Sequence, residues 1–168
     1  TMALTNVSPG SYVFAVYGSD SAGNKSAALS FPVVLTSGAS TEIGGIFVSP
    51  TISVDKSQVK QGDNLAIFGQ AAASSSITIS VHSNPELFLR ASTDKDGAYL
   101  YTLDPSVLDY GAHLAKSKAA VANEISDLGA AVGFTVGTQT VAKAASDCIP
   151  SDFNCDGRVN LVDFSVLA

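Results

Sequence analysis

The chain has 168 residues, enough for one domain of ordinary size plus smaller segments. It is 46% hydrophobic and only 14% charged, which excludes a solvated disordered chain. The net charge is −6 and Lys and Arg form no cluster along the sequence, so nucleic acid and anionic membrane surfaces are not expected as partners. No run of about 18 apolar residues occurs, so we expect no membrane insertion.

Residues 1–36 have the pattern of two strands. Apolar side chains at positions 12–17 predict the first strand, a turn-rich segment at 19–24 follows, and residues 27–35 predict the second strand, with Pro32 at an edge or bulge. Two strands cannot form a stable core alone. We therefore expect residues 1–36 to be the last strands of a preceding β repeat in a longer protein, and the Ser/Gly/Thr-rich residues 37–45 to be a linker.

Residues 46–137 carry the signals of an antiparallel β-sandwich. Short strands are predicted at 51–55, 64–70, 76–83, 86–91, 98–104, 113–120 and 131–136, with turn residues between them. Ile77, Ile79 and Val81 alternate with Thr78, Ser80 and His82, which predicts one buried and one exposed face. The length suits one immunoglobulin-like domain.

Three turn motifs carry a family resemblance. They are Val-Lys-Gln-Gly-Asp at 59–63, Thr-Asp-Lys-Asp-Gly-Ala-Tyr at 93–99 and Leu-Asp-Tyr-Gly-Ala-His at 108–113. Their order resembles bacterial immunoglobulin-like repeats of secreted and surface proteins, and residues 4–33 resemble the end of a similar or fibronectin-type repeat. The resemblance implies that the second motif opens a hairpin, and we expect the Asp-x-Asp-Gly at 94–97 to be a hairpin turn, since Pro105 stands where a calcium loop needs its closing acid.

Residues 138–147 are mostly small and predict a flexible linker. Cys148 and Cys155 follow it, seven positions apart. One interpretation is a disulfide that staples the start of a loop in an oxidising compartment, and the other is a pair of unpaired thiols. A zinc site would need further ligands, and His82 and His113 lie far away in the sequence.

The segment 152–163 has the spacing of a calcium loop. Oxygen-bearing side chains stand at positions 1, 3, 5, 9 and 12, a glycine at the sharp turn of position 6, and a residue offering its carbonyl at position 7. These residues are Asp152, Asn154, Asp156, Asn160, Asp163, Gly157 and Arg158. Calcium takes six to eight oxygen ligands, and three carboxylates in one tight loop repel each other unless a cation binds. The sequence therefore predicts a Ca²⁺ site here, with magnesium fitting less well.

After the loop, Val162, Phe164, Val166 and Leu167 predict the start of a helix. Residues 152–168 thus resemble the first half of a type I dockerin, a family whose two loop–helix segments each bind one calcium. The resemblance implies that Asp152, Asn154, Asp156, Asn160 and Asp163 are calcium ligands, with the carbonyl of Arg158. It also implies a cohesin-like receptor or scaffold as partner, to which dockerins attach secreted, often polysaccharide-degrading, proteins.

Residues that could support catalysis or sugar binding are few. His82 occupies a polar strand position and is expected to face solvent, and Glu86 and Glu124 cannot be placed together as a carboxylate pair. Tyr99 and Tyr101 share one strand face, where packing is favoured over a sugar-stacking platform.

The expected function is therefore non-catalytic: an extracellular, bacterial, calcium-dependent anchoring module with an immunoglobulin-like spacer. The alternative is the accessory, glycan-binding region of a secreted glycoside hydrolase, whose catalytic domain would lie upstream.

Overall fold

The computed structural model describes residues 3–144. The calcium-loop segment, its expected helix and both cysteines lie outside these residues. The described strands are β1 Gly10–Val16, β2 Leu29–Leu35, β3 Ser53–Val54, β4 Lys56–Lys60, β5 Leu65–Gln70, β6 Ser76–His82, β7 Leu87–Ser92, β8 Ala98–Leu103, β9 Gly111–Val121, β10 Glu124–Ile125, β11 Val132–Gly137 and β12 Val141–Ala142. A turn of 3-10 helix spans Pro105–Val107.

Strands β1 and β2 form an antiparallel hairpin, as the alternating apolar residues predict. Phe14 lies opposite Phe31, with the ring centroids 6.2 Å apart. Pro32 lies on β2, whose pairing within the described residues is with β1 alone, so the missing N–H of proline falls at a sheet edge. Residues 37–45 contain no strand.

The remaining strands form two sheets that share one core. The smaller sheet has the order β3-β5-β8 and the larger the order β12-β4-β11-β9-β6-β7, with β10 beside β9. Buried apolar side chains from both sheets meet in a single cluster, which includes Val54, Leu65 and Ile67 from one and Ile79, Ala115 and Phe134 from the other. The described chain is thus mainly β and consistent with a β-sandwich.

Strand β6 shows why the sequence folds this way. Ile77, Ile79 and Val81 are fully buried, whereas Thr78 and Ser80 are half-buried and His82 is exposed. Because successive side chains of a strand point to opposite faces, this alternation allows burial of three branched apolar groups without burial of the polar ones. The predicted inner and outer faces, and the exposure of His82, are confirmed.

Two pairings depart from the expected purely antiparallel sheet. Strand β4 pairs with β11 in parallel, with Val59 beside Val136. Strand β12 pairs with β4 on its other side, and the backbone N–H of Lys143 donates to the carbonyl of Asp55 at 2.9 Å. The large sheet is therefore mixed, and it extends to Ala142, within the segment predicted as a linker.

The turn predicted at Asp94 is confirmed, but the prediction that it closes a hairpin is wrong. The Asp94 carboxylate accepts the backbone N–H groups of Asp96 and Ala98, each at 2.9 Å, and Gly97 supplies the positive φ of 81°. Strand β7 before the turn pairs with β6, and β8 after it pairs with β5. The turn therefore carries the chain from one sheet to the other.

Candidate functional site

The predicted calcium ligands, Asp152, Asn154, Asp156, Arg158, Asn160 and Asp163, lie outside the described residues, as do Cys148 and Cys155. Among residues 3–144, no three His, Cys, Asp or Glu side chains lie close enough to hold a metal ion. Within the same range, no helix has the length and hydropathy that a membrane crossing requires.

The last described residues, 140–144, follow the edge of the large sheet. Thr140 accepts the backbone N–H of Lys60 at 3.0 Å and donates its hydroxyl to Asp63 at 2.5 Å. The ammonium group of Lys143 lies 3.2 Å from the hydroxyl of Ser53. These contacts hold residues 140–143 against the sandwich, at the β4 edge.

The hairpin and the sandwich meet at the side chain of Asp20. Its carboxylate accepts the backbone N–H groups of Ala22 and Asn24, the side-chain amide of Asn24, and the hydroxyl of Thr51 at 3.1 Å. Thr51 lies just before β3, so this bond joins the two β units. A shallow cleft of about 360 Å³ opens here. Asp20 is the acidic residue lining it, and four donors already occupy its carboxylate, which makes the cleft a structural joint.

The tyrosine pair does not form a sugar platform. Tyr99 is buried, and its hydroxyl lies 2.7 Å from the carbonyl of Thr51 and 3.1 Å from the hydroxyl of Ser117. Burial raises the pKa of Tyr99 to about 12, the hydrogen bond from Ser117 opposing this shift. Tyr101 is half-buried against the same core. Packing, the favoured interpretation, is confirmed.

Gly69 explains how Tyr99 reaches Thr51. Gly69 lies opposite Tyr99 in the β5–β8 register, and a Cβ added there would stand 2.1 Å from the Thr51 carbonyl oxygen and 2.9 Å from the tyrosine oxygen. Only a residue without a side chain allows this approach.

His113 is buried beside Phe134, with the ring centroids 5.6 Å apart. One ring nitrogen lies 2.9 Å from the carbonyl oxygen of Asp109 and the other 3.3 Å from that of His82. Both partners are backbone acceptors, and a neutral imidazole has one N–H with which to donate to one of them, so the ring lies between the start of β9 and the end of β6.

The two glutamates considered as a carboxylate pair lie at opposite ends of the sheet. Glu86 is near the end of β6, where it accepts the hydroxyl of Ser80 at 2.5 Å, whereas Glu124 pairs with Val121 at the far end of β9. A length of strand separates them, so they do not form a glycosidase pair.

The fold brings together three cationic side chains from two strands that are distant in sequence. Arg90 on β7 lies opposite Thr78, and Thr78 lies opposite Lys118 on β9. Two residues further along the same strands, Phe88 lies opposite Ser80, and Ser80 lies opposite Lys116; these three residues form a second row across the sheet. We call the outward surface of these six residues the cationic face. The expectation that no Lys/Arg cluster exists holds along the sequence and is wrong in three dimensions.

Strand geometry gives the dimensions of the cationic face. Neighbouring strands lie about 4.8 Å apart, so Lys118 and Arg90 are separated by roughly 10 Å between Cα atoms, and Lys116 and Lys118 by about 7 Å. None of the three cations has an ion pair among the described residues. The alternation of charged with buried residues at 114–119 and 88–91 is the signal that could have located this face.

A search of protein-family models and of curated proteins finds no match to this chain.

Proposed function

We propose that this chain is a non-catalytic, extracellular anchoring module, in which a calcium-ordered, dockerin-like loop at 152–163 binds a cohesin-like receptor. The single observation that carries the proposal is the spacing of oxygen ligands around Gly157. Asp152, Asn154, Asp156, Asn160 and Asp163 fall where one calcium ion needs them, and the carbonyl of Arg158 completes the set. The dockerin likeness is our inference from residues 152–168.

The sandwich serves as the spacer, and we propose that it is immunoglobulin-like. Strands β3, β5 and β8 correspond to A, B and E of that fold, and β6, β9 and β11 correspond to C, F and G in the facing sheet. The joint between Asp20 and Thr51 favours a repeat stacked before it. A chain of such repeats would hold an anchor away from the rest of a secreted protein.

In this proposal the β12 contacts hold the start of the connection that leads to the anchor. The sheet ends at Ala142, and Lys143 is still bonded to Asp55 and Ser53. Eight further residues, 144–151, separate Lys143 from Asp152. A disulfide between Cys148 and Cys155 would shorten the free part of this connection and pre-organise the loop, in keeping with an oxidising, extracellular location.

The test is capture of the whole chain by an immobilised cohesin domain. We expect retention in 2 mM calcium, on the order of the concentrations that extracellular sites need, and release in chelator. Asp152→Ala with Asp156→Ala should abolish retention, because two of three carboxylates are lost.

The matched control is Asp96→Ala, in the Asp-x-Asp-Gly that forms a turn between sheets. Asp96 is exposed and, like Asp156, stands before a glycine in the sequence, so this substitution should leave capture unchanged. Retention that persists in chelator, or that the control loses equally, would refute calcium-dependent anchoring.

A further inference from the structure

We propose that the cationic face, formed by Arg90, Lys116 and Lys118 around Thr78, Ser80 and Phe88, binds an acidic polysaccharide whose sugars carry carboxylates. This activity is separate from calcium-dependent anchoring, since its residues belong to the sandwich and it needs no metal. The juxtaposition arises from the pairing of β9 with β6 and of β6 with β7.

The local charge is opposite to that of the chain as a whole. The net charge is −6, yet strands β6, β7 and β9 contain no Asp or Glu and present three cations on one surface. At separations of roughly 7–10 Å these cations lie within about one Debye length of each other, so they repel. An anion with charges at a similar spacing relieves this repulsion. One acid, Glu86, accepts the hydroxyl of Ser80 at 2.5 Å, so a single carboxylate lies beside the row of Phe88, Ser80 and Lys116.

The shape of the surface selects an extended ligand. The face is part of a sheet, and its cations stand in two adjacent rows. Thr78 places a hydroxyl group between them, the Ser80 hydroxyl is donated to Glu86, and the Phe88 side chain is 63% exposed. Hydroxyls can bond to sugar hydroxyls and carboxylates, and an exposed ring can pack against the apolar face of a sugar.

Size and charge disfavour the other polyanions. Six residues on three strands cover on the order of 200 Å², whereas a stable protein partner needs about 800 Å² on each side. A nucleic acid gains affinity mainly from many phosphate contacts, and the face offers three cations on a chain of net charge −6. An acidic glycan can be held by a few charges together with hydroxyl and ring contacts.

The experiment is fluorescence anisotropy of a labelled oligogalacturonate titrated with the whole chain in EDTA. The chelator removes any contribution from a calcium loop, so failure here and failure of the anchoring proposal are distinguishable. We expect saturable binding that weakens roughly 20- to 40-fold between 50 and 200 mM salt, as neutralisation of three anionic charges requires. Dextran, which is neutral, should not compete.

Variants locate the site. Lys116→Gln with Lys118→Gln should weaken binding tenfold or more, and Arg90→Gln should weaken it further. The matched control is Lys60→Gln with Lys95→Gln, which removes two exposed charges that are not part of the face. Thermal melts of each variant should superimpose, since all five side chains are exposed.

Three results would overturn the proposal. One is the absence of binding at 50 mM salt. Another is an equal loss in the control double variant, which would assign the effect to net charge. The third is tighter binding of a single-stranded oligonucleotide of the same charge, which would assign the face to nucleic acid.

Discussion

Thr51 donates its hydroxyl hydrogen to the carboxylate of Asp20 at 3.1 Å, and the same oxygen accepts the backbone N–H of Gln70 at 2.9 Å. One hydroxyl thus connects the hairpin to the first strands of the sandwich. A two-stranded hairpin is marginal in isolation, so its order depends on such contacts.

This joint predicts the effect of Asp20→Ala. The substitution removes the acceptor for Ala22, Asn24 and Thr51, and hydrogen bonds to charged groups contribute about 1.5–3 kcal/mol each. Amide hydrogen exchange in β1 and β2 should accelerate tenfold or more, while exchange in β6 and β9 stays unchanged.

Thr51→Ser is the control, because it keeps the hydroxyl and should preserve the protection of β1 and β2. Unaltered exchange in Asp20→Ala would show that the hairpin is ordered by other contacts.

Tyr99 predicts a loss of stability at alkaline pH. Its pKa is about 12 in the folded protein against about 10 when unfolded, so folding favours the neutral phenol. This contribution is complete below pH 10 and is lost as the pH rises from 10 to 12, by about 2–3 kcal/mol in all. Urea denaturation across this range measures it.

Tyr99→Phe provides the comparison for the alkaline titration. It should cost about 1–2 kcal/mol at pH 7, because the Thr51 carbonyl loses its donor, and it should flatten the decline above pH 10. Parallel declines in the two proteins would contradict the assignment to Tyr99.

The two histidines should differ in how much their replacement lowers the free energy of unfolding. His113→Ala removes a buried ring that packs on Phe134 and faces two carbonyl oxygens, and should lower the free energy of unfolding by about 3 kcal/mol. His82→Ala removes an exposed ring and should change it by about 0.5 kcal/mol or less. Urea denaturation at pH 7 compares them, and equal costs would mean that the His113 contacts do not stabilise the sheet.

The sequence predicted strands best where apolar and polar residues alternate. Ile77, Ile79 and Val81 fix both the position and the inner face of β6. Strand β4 was missed because Val59 is its one apolar residue, and its order comes from backbone pairing with β11 and β12. Pairing partners depend on distant segments, which local periodicity does not encode.

Candidate sites are likewise predictable from sequence only where their residues are close together along the chain. The Asp94 turn follows from local chemistry, since Asp and Gly at fixed spacing suffice for it. Two other features depend on the order of strands in the sheets. They are the role of this turn in joining two sheets and the placement of Arg90 and Lys118 on either side of β6. The proposed calcium ligands lie within one short segment, 152–163, and for that reason their spacing alone predicts a site.

The most direct measurement of the central claim is the stoichiometry of calcium binding to the whole chain by isothermal titration calorimetry. The account predicts one calcium ion per chain at millimolar or lower concentration, lost in the Asp152→Ala, Asp156→Ala double variant and retained in Asp96→Ala. Absence of binding heat from the unmodified chain at millimolar calcium, or unchanged binding in the double variant, would contradict it.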